Sequence, residues 1–319
     1  MDVRQLRYFS VLAEEKHFGR AARKLSLSQP PLSYAIRQLE TELGAQLFTR
    51  STRAVRLTPA GAALQIETLA LLRRMEEVKH QVRQVAMGRN GRIRMGFGGS
   101  MLYRGLPEIL ADVAAALPGI DITLKEMGSV AQIEALHRDE LDLGLIHGQT
   151  RPDGLDGFLY HEEPFVACVP ATHRLANAKR IKLHQLRQDD FILFARHGSP
   201  AYYESIVGTC LAAGFAPNVR HEVAFWLSVV SLVASGLGVA LVPRSLRNAR
   251  LAGACFAPID QTAILSQTQC VWKPDRLTDA GLANTLELIR ARVPAASAAT
   301  PKKRVRGKSR PSGEARQRL

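Results

Sequence analysis

Two sets of polar residues in this chain stand at spacings that could do chemistry. The first lies near the amino terminus. Ser33, Tyr34, Arg37 and Gln38 fall on one side of a helical repeat. The other side carries Leu32, Ile36, Leu39 and Leu43 at i, i+4, i+7 and i+11. Just beyond, Arg50, Arg53 and Arg56 recur along LFTRSTRAVRL, a hairpin-like stretch suited to gripping phosphates. Hydroxyl, amide and guanidinium groups on one helix face can bond base edges and phosphate oxygens. The second set is Ser100, Ser129 and Ser199, each placed where a strand pattern gives way to a helix pattern. Backbone N–H groups and the helix dipole at such points favour a carboxylate without a buried Lys or Arg. Tyr202, Tyr203 and Trp226 are the aromatic residues able to wall such a site.

Other chemistries lack their motifs. GFGGS puts glycines at Gly96, Gly98 and Gly99 without the third glycine of a dinucleotide loop, and no ribose-binding acid follows about 20 residues on. GxSxG, HExxH and Walker segments do not occur. The nine histidines never cluster at ligand spacing, so no metal, no cofactor and no catalytic residue is expected. Cys168, Cys210, Cys255 and Cys270 are widely spaced with no CxxC. That usage suits reduced thiols in a cytosol, and Cys210 reads as a buried inert thiol.

The elements that must position these residues follow from periodicity. Residues 3 to 15 read as an amphipathic helix and 19 to 25 as a short second one. Ser28 is placed as the N-cap of a third, with Pro30 and Pro31 in its first turn and Gly44 at its end. A short helix, a tight turn and a second helix with outward polar side chains form the geometry that enters a major groove. Leu64, Leu71, Met75, Val78, Val82 and Val85 then make a heptad seam, which calls for a second copy of the same helix. MGRNGR, residues 87 to 92, is the expected hinge. Beyond it strands and helices alternate through two successive runs, which predicts parallel, doubly wound sheet in two α/β lobes.

Charge divides along the same lines. The chain of 319 residues carries a net +14. Of this, +5 falls in residues 1–65, +3 in 66–92, −1 in 93–294 and +7 in 295–319. Basic ends around a neutral body suit a polyanion-binding module joined to a larger ligand or assembly module. The tail from residue 295 mixes Ala, Ser, Pro and Gly with eight Lys/Arg, cannot build a core, and reads as disordered and able to add phosphate affinity. Hydrophobic residues at 46% exclude wholesale disorder. The chain has no apolar run near the roughly 20 residues of a bilayer span and no leader pattern at its start, so a cytoplasmic protein is expected, with no membrane partner.

The stretch FGRAARKLSLSQPPLSYAIRQLETELGAQLFTR, followed by VRLTPAG, resembles the winged helix-turn-helix of LysR-type bacterial transcriptional regulators over residues 1 to about 65. GSMLYRGLPEIL, MGSVAQIEALHRDELDLGL and VSLVASGLGVALVPRS are similar to segments of that family's effector domain, closest to the branch sensing aromatic acids and muconate-type ring-cleavage products. The resemblance implies a mostly α-helical winged helix-turn-helix over 1–58 and a linker and dimerisation helix over 59–87. A two-lobed, periplasmic-binding-protein-like effector domain over 88–294 completes it, with lobe I at about 88–164 and 267–294 and lobe II at about 165–266. It places Gln29, Pro30, Ser33 and Arg37 at the DNA groove and Arg50 and Arg53 on the wing and backbone. Tyr34 stands where many members have Arg, so a contact there is lost or replaced by stacking. Gly99, Ser100, Ser129, His147, Ser199, Tyr202 and Trp226 become the candidate effector contacts, with His147 where the aromatic-acid branch often has Arg.

The implied function is a sequence-specific activator or repressor controlled by a small carboxylate effector. Its implied partners are double-stranded DNA, a homodimer or homotetramer of itself, and RNA polymerase. A cytosolic α/β enzyme is the rival reading, for which no catalytic constellation is found. A solute-binding protein is the other, against which the basic amino-terminal module argues.

Overall fold

The computed structural model describes residues 1–50, 55–260 and 264–293. Arg53 and the basic tail of 295–319 lie outside the described residues. Two compact units divide the chain, Met1–Ala86 and Met87–Leu319.

In the first unit α1 (Val3–Glu15) starts in a capping box: the Gln5 amide donates to Asp2 Oδ1 at 2.7 Å and the Asp2 amide to Gln5 Oε1 at 2.9 Å. Helix α2 (Phe18–Lys24) is capped by His17, whose Nδ1 accepts from the Gly19 and Arg20 amides. Helix α3 (Gln29–Leu43) has Ser28 at its N-cap, yet the serine makes no side-chain cap bond. The reason lies in the sequence. A cap hydroxyl bonds the second or third helical amide, and here those residues are Pro30 and Pro31, which have none. Gly44 closes the helix in the left-handed region at φ 64°. Phe9, Leu12, Ala21, Ala22, Leu32, Ile36 and Leu39 form the shared core. Leu43, expected to extend that stripe, is exposed in the last turn.

Strands β1 (Phe48–Arg50) and β2 (Val55–Leu57) pair antiparallel as a short wing, and Phe48 tilts against Phe9 at 5.3 Å to fix it to the core. Helix α4 (Pro59–Ala86) runs 28 residues, about 42 Å. Gly61 allows its first turn to reach the wing, since a Cβ there would meet the Leu47 carbonyl oxygen at 2.1 Å. Along α4, Leu71, Val78, Val82 and Val85 are exposed.

In the second unit Met87, Gly88 and Arg89 form a turn and β3 (Asn90–Phe97) begins at once, so the break is shorter than the expected 87–92 hinge. Strand β3 lies between parallel neighbours β4 (Gly119–Glu126) and β5 (Leu143–His147). Helices α5 (Leu106–Ala116) and α6 (Ser129–His137) make the crossovers. The rest departs from the expected parallel sheet. Strand β6 (Asp156–Pro170) follows β5 through a loop rather than a helix, and runs 15 residues through both lobes. Its first half pairs antiparallel with the late strand β11 (Leu265–Trp272), which in turn pairs antiparallel with β5. Its second half pairs antiparallel with β9 (Ala240–Pro243) and β10 (Ala254–Pro258). A crossover helix is what makes neighbours parallel, and none intervenes here. In the second lobe β7 (Asp190–Phe194) and β8 (Asn218–Val223) are parallel, linked by α7 (Pro200–Ala212), and α8 (Trp226–Ala234) leads into β9. A bridge from Phe191 to Val239 joins β7 to that sheet.

Each lobe has its own core. One gathers Met95, Phe97, Ile109, Leu143, Leu145 and Trp272 with Leu282, Leu286 and Ile289 of α9 (Ala280–Ala291). The other gathers Phe165, Phe191, Ile192, Ile206, Val229, Val230 and Leu241. Two segments therefore cross between lobes: β6 at Pro164, and the chain between Ile259 and Leu265.

Candidate functional site

On the first unit, α3 buries Leu32, Ile36 and Leu39 and thereby turns Gln29, Pro30, Tyr34, Arg37 and Gln38 to solvent, with Ser33 half-buried at the edge. Tyr34 is 70% exposed. Arg56 projects from β2, and Arg50 ends β1 opposite Val55. Elsewhere in the unit some cations are paired, Arg20 with Glu15, Lys24 with Glu14 and Glu15, Arg74 with Glu77 and Lys79 with Glu76. Among the described residues neither Arg37 nor Arg56 has a carboxylate partner. The face is thus cationic, with donors at the spacing of one helical turn.

In the second unit a small cavity of about 30 Å³ lies between the lobes, at the carboxyl ends of β3, β4 and β5. That is room for about one water molecule. Gly99, Ser129, His147, Ser199 and Trp226 line it, all five expected for this cleft. Ser100 and Tyr202 stand one layer behind. Ser100 is in a short 3-10 turn, Gly99–Tyr103, rather than at the start of an α-helix, and its hydroxyl is engaged by His147 Nε2 at 3.1 Å. Tyr202 packs edge-on against Trp226 at 4.7 Å and His147 at 5.1 Å.

Ser129 starts α6 and Ser199 caps α7 by position; neither helix has a side-chain cap bond. The Ser129 hydroxyl instead accepts the His147 amide at 3.0 Å and meets Ser199 Oγ at 3.5 Å. Of the first-turn amides, those of Val130 and Tyr202 are taken by the Gly198 and Ser199 carbonyl oxygens and Pro200 has none, which leaves Ser129, Ala131 and Ala201 to answer a ligand. Gly128 belongs here for a steric reason: a Cβ would meet the Gly198 carbonyl oxygen of the other lobe at 2.7 Å. The Val130 amide also reaches that oxygen, at 3.4 Å, so this is a closed cleft.

His147 carries no charge at neutral pH. Burial first, and then the nearby Arg104 cation, hold its pKa down at about 3. The Tyr202 phenol is raised well above its usual 10 by burial. Behind the cleft, Arg104 and Glu163 form an ion pair at 2.6 Å with both side chains closed to solvent. Arg104 also donates to Thr268 and Ser266 at 2.7 Å each, and Glu163 accepts the Ser245 amide and hydroxyl, also at 2.7 Å. The pair ties the 3-10 turn under the cleft to β6, which crosses between lobes, and to the neighbouring β11. Sequence reasoning missed it because its members lie 59 positions apart with no shared motif.

It missed Glu126 as well. A neutral cleft was expected, but Glu126, the last residue of β4, lines it with its carboxylate over Gly99. The end of a strand leading into a helix was a usable signal for that residue. Phe194 and Phe225 add apolar wall beside Trp226. No group of three or more His, Cys, Asp or Glu among the described residues is placed to hold a metal ion. The thiols of Cys168 and Cys210 are pushed up to about 12 by burial and Cys270 is also raised, which suits inert core residues.

Comparison with known proteins decides what this pairing of a helix-turn-helix with a two-lobed cleft belongs to. Residues 3–62 match the family of bacterial regulatory helix-turn-helix proteins of the lysR type, and residues 86–294 match the LysR substrate binding domain. The chain belongs to the LysR family. It is an effector-controlled, DNA-binding transcriptional regulator, as members of that family are. The uncharacterized HTH-type transcriptional regulator YnfL of Escherichia coli is 32% identical over 273 residues, 85% of this chain and 92% of that one. BenM of Acinetobacter baylyi is 33% identical over 261 residues, 81% and 86% of the two chains. Among solved structures, the LysR family regulator CbnR superimposes with a TM-score of 0.80 at 28% identity, covering 91% of this chain and all of CbnR. Full-length CbnR bound to its target DNA gives the same TM-score at 26% identity, covering 92% and 100%. Members of this family bind DNA and small effectors and form oligomers. No helix among the described residues is long and apolar enough to cross a membrane.

Proposed function

We propose that this LysR-family regulator reads its operator with α3 and the wing, and that a small organic acid held between the lobes controls it in the cytoplasm. Gln29, Pro30, Ser33, Tyr34 and Arg37 meet the major groove, and Arg50 and Arg53 grip the backbone beside it. The observation that carries this half is the exposed α3 face on which Arg37 has no carboxylate partner among the described residues. A guanidinium left unpaired on a groove-sized helix is free for a phosphate or for a guanine edge.

The acid half is supported by the first turns of α6 and α7, which lack side-chain caps and face one cleft. A buried carboxylate must recover the hydrogen bonds it had in water, and clustered helix amides supply them. Gly99, Ser129, His147, Ser199 and Trp226 are the contacts, with Ser100 and Tyr202 setting their positions from behind. An aromatic or ring-cleavage acid would find its walls in Phe194, Phe225 and Trp226. Because the cavity is about 30 Å³, any such ligand needs the lobes to part, so binding selects an opened state and shifts the population toward it. That shift changes the angle between DNA-binding modules, and with it DNA bending or contact with RNA polymerase.

The working division is a DNA-binding module over 1–58, a linker helix over 59–87 that pairs with a second copy, the effector domain over 88–294, and a basic tail that adds phosphate affinity. Mapping the DNA bound by the protein across its source genome tests the reading. Discrete sites with paired half-sites about one helical turn or a multiple apart are expected. Uniform, sequence-independent occupancy overturns it.

A further inference from the structure

The chain enters the second unit through a joint that lobe I grips from two sides. Helix α4 ends at Ala86, and Gly88, two residues on, is buried with φ 65°. A Cβ on Gly88 would meet the Ala280 carbonyl carbon and oxygen at 2.3 Å each and the Gly281 amide nitrogen at 2.6 Å, so the turn lies directly against the start of α9. One helical turn along α9, the Asn284 side-chain amide donates to the Met87 carbonyl oxygen at 3.0 Å and to that of Gly88 at 3.2 Å. Both protons of its NH₂ group are thereby committed to the turn. On the other side Asn90 stands opposite Gly119 at the start of β4, where a Cβ would meet the Arg89 carbonyl oxygen at 2.4 Å. Helix α9 is itself fixed. Asp279 accepts from its Gly281 and Leu282 amides at 2.8 and 3.3 Å, and Leu282, Leu286 and Ile289 sit in the lobe I core. Ala280, Gly281, Asn284 and Gly119 thus hold the segment 87–90 to one lobe, and the segment expected to bend is clamped.

We propose that Gly88 and Asn284 are positioning residues for the control of DNA binding. They fix the chain leaving α4 to lobe I, so a change in the angle between the lobes reaches the DNA-binding unit as movement of lobe I. This rests on the reading that the cleft controls DNA binding, and holds whichever ligand fills it. Coupling between two sites is reciprocal, so operator DNA must act on the cleft as the cleft acts on operator affinity. Hydrogen exchange of the full-length protein, with and without a mapped operator, therefore reads the coupling before any ligand is identified. In wild type the operator should change exchange of the first-turn amides of α6 and α7 by about fivefold or more. Asn284→Ala removes both donors, and Gly88→Ala drives the turn off α9. In each variant that change should shrink to less than about twofold while operator binding persists. Thermal melting checks that the second unit is folded, and Asn284→Gln, which displaces the donors by one methylene, replaces a variant that is not. An operator-induced change as large in the folded variants as in wild type overturns the inference and leaves control by the cleft standing. No operator-induced change in wild type overturns both.

Discussion

Removing the Arg104 guanidinium should cost more than any other single change near the cleft. Arg104 and Glu163 meet at 2.6 Å with side-chain exposures of 0% and 2%. Arg104→Met leaves a carboxylate in the interior with the Ser245 amide and hydroxyl to hold it and the His161 ring 3.9 Å away. Breaking one side of a buried pair costs about 3–5 kcal/mol, because the surviving charge keeps its desolvation penalty without its partner. The two remaining hydrogen bonds place the cost toward the lower end. In a domain of this size each kcal/mol moves Tm by about 2–4 °C. Scanning calorimetry of the full chain should therefore show the transition of the unit from Met87 on falling by about 6–15 °C, with the other unit little changed. Arg104→Met combined with Glu163→Leu removes the orphaned charge and should recover most of that loss. Equal melting of the single and double variants would refute the reasoning, since it would mean that no uncompensated charge is left behind.

Ser33→Ala and Arg37→Ala should each cost about 1–3 kcal/mol on operator DNA and much less on random DNA; equal losses in anisotropy titrations on both would reduce these residues to phosphate contacts. Val78→Asp places a charge in the α4 seam, where Val78 is 44% exposed in the single chain, so sedimentation should show dissociation and operator affinity should collapse; an unchanged oligomer would rule out α4 as the interface. The folded imidazole of His147 protonates only near pH 3, whereas the unfolded one does so below about 6.5. Stability should consequently fall as pH drops through that window, by up to about 1.4 kcal/mol per unit from this group. In urea titrations at successive pH values His147→Gln should flatten part of the decline, and parallel profiles would contradict the assignment.

Much of the molecule was legible because the signals were local. The Leu32, Ile36 and Leu39 stripe, the Gly44 boundary and the helix starts at Ser129 and Ser199 all follow from periodicity and caps within a turn or two of the residues concerned. Ser28 shows the limit of such rules, since two neighbouring prolines remove the amides that its hydroxyl would have bonded. The lobe boundary expected at about 164/165 falls inside β6, for nothing local says that Asp156–Pro170 is one strand serving two sheets. Its partners β11, β9 and β10 are each many residues away, and register between distant strands is set by tertiary packing. Of the five cleft residues, Ser129 and Ser199 were legible as strand-to-helix junctions and Trp226 as an aromatic wall, while Gly99 and His147 came from the family resemblance. Glu126, at the end of β4, carried the same kind of signal and went unread, whereas the Arg104–Glu163 pair carried none, because its meaning lies in what the fold places opposite each residue.

Ligand-dependent operator binding by the full-length protein bears most directly on the account as a whole. Footprinting of a mapped operator, with and without a saturating concentration of whichever carboxylate binds by titration, should show a ligand-dependent change in the length or spacing of protection. Ser129→Asp, which puts like charge at the α6 start, should abolish that change while leaving the ligand-free footprint intact. An operator footprint identical with and without bound ligand would contradict the claim that the cleft controls the DNA-binding state.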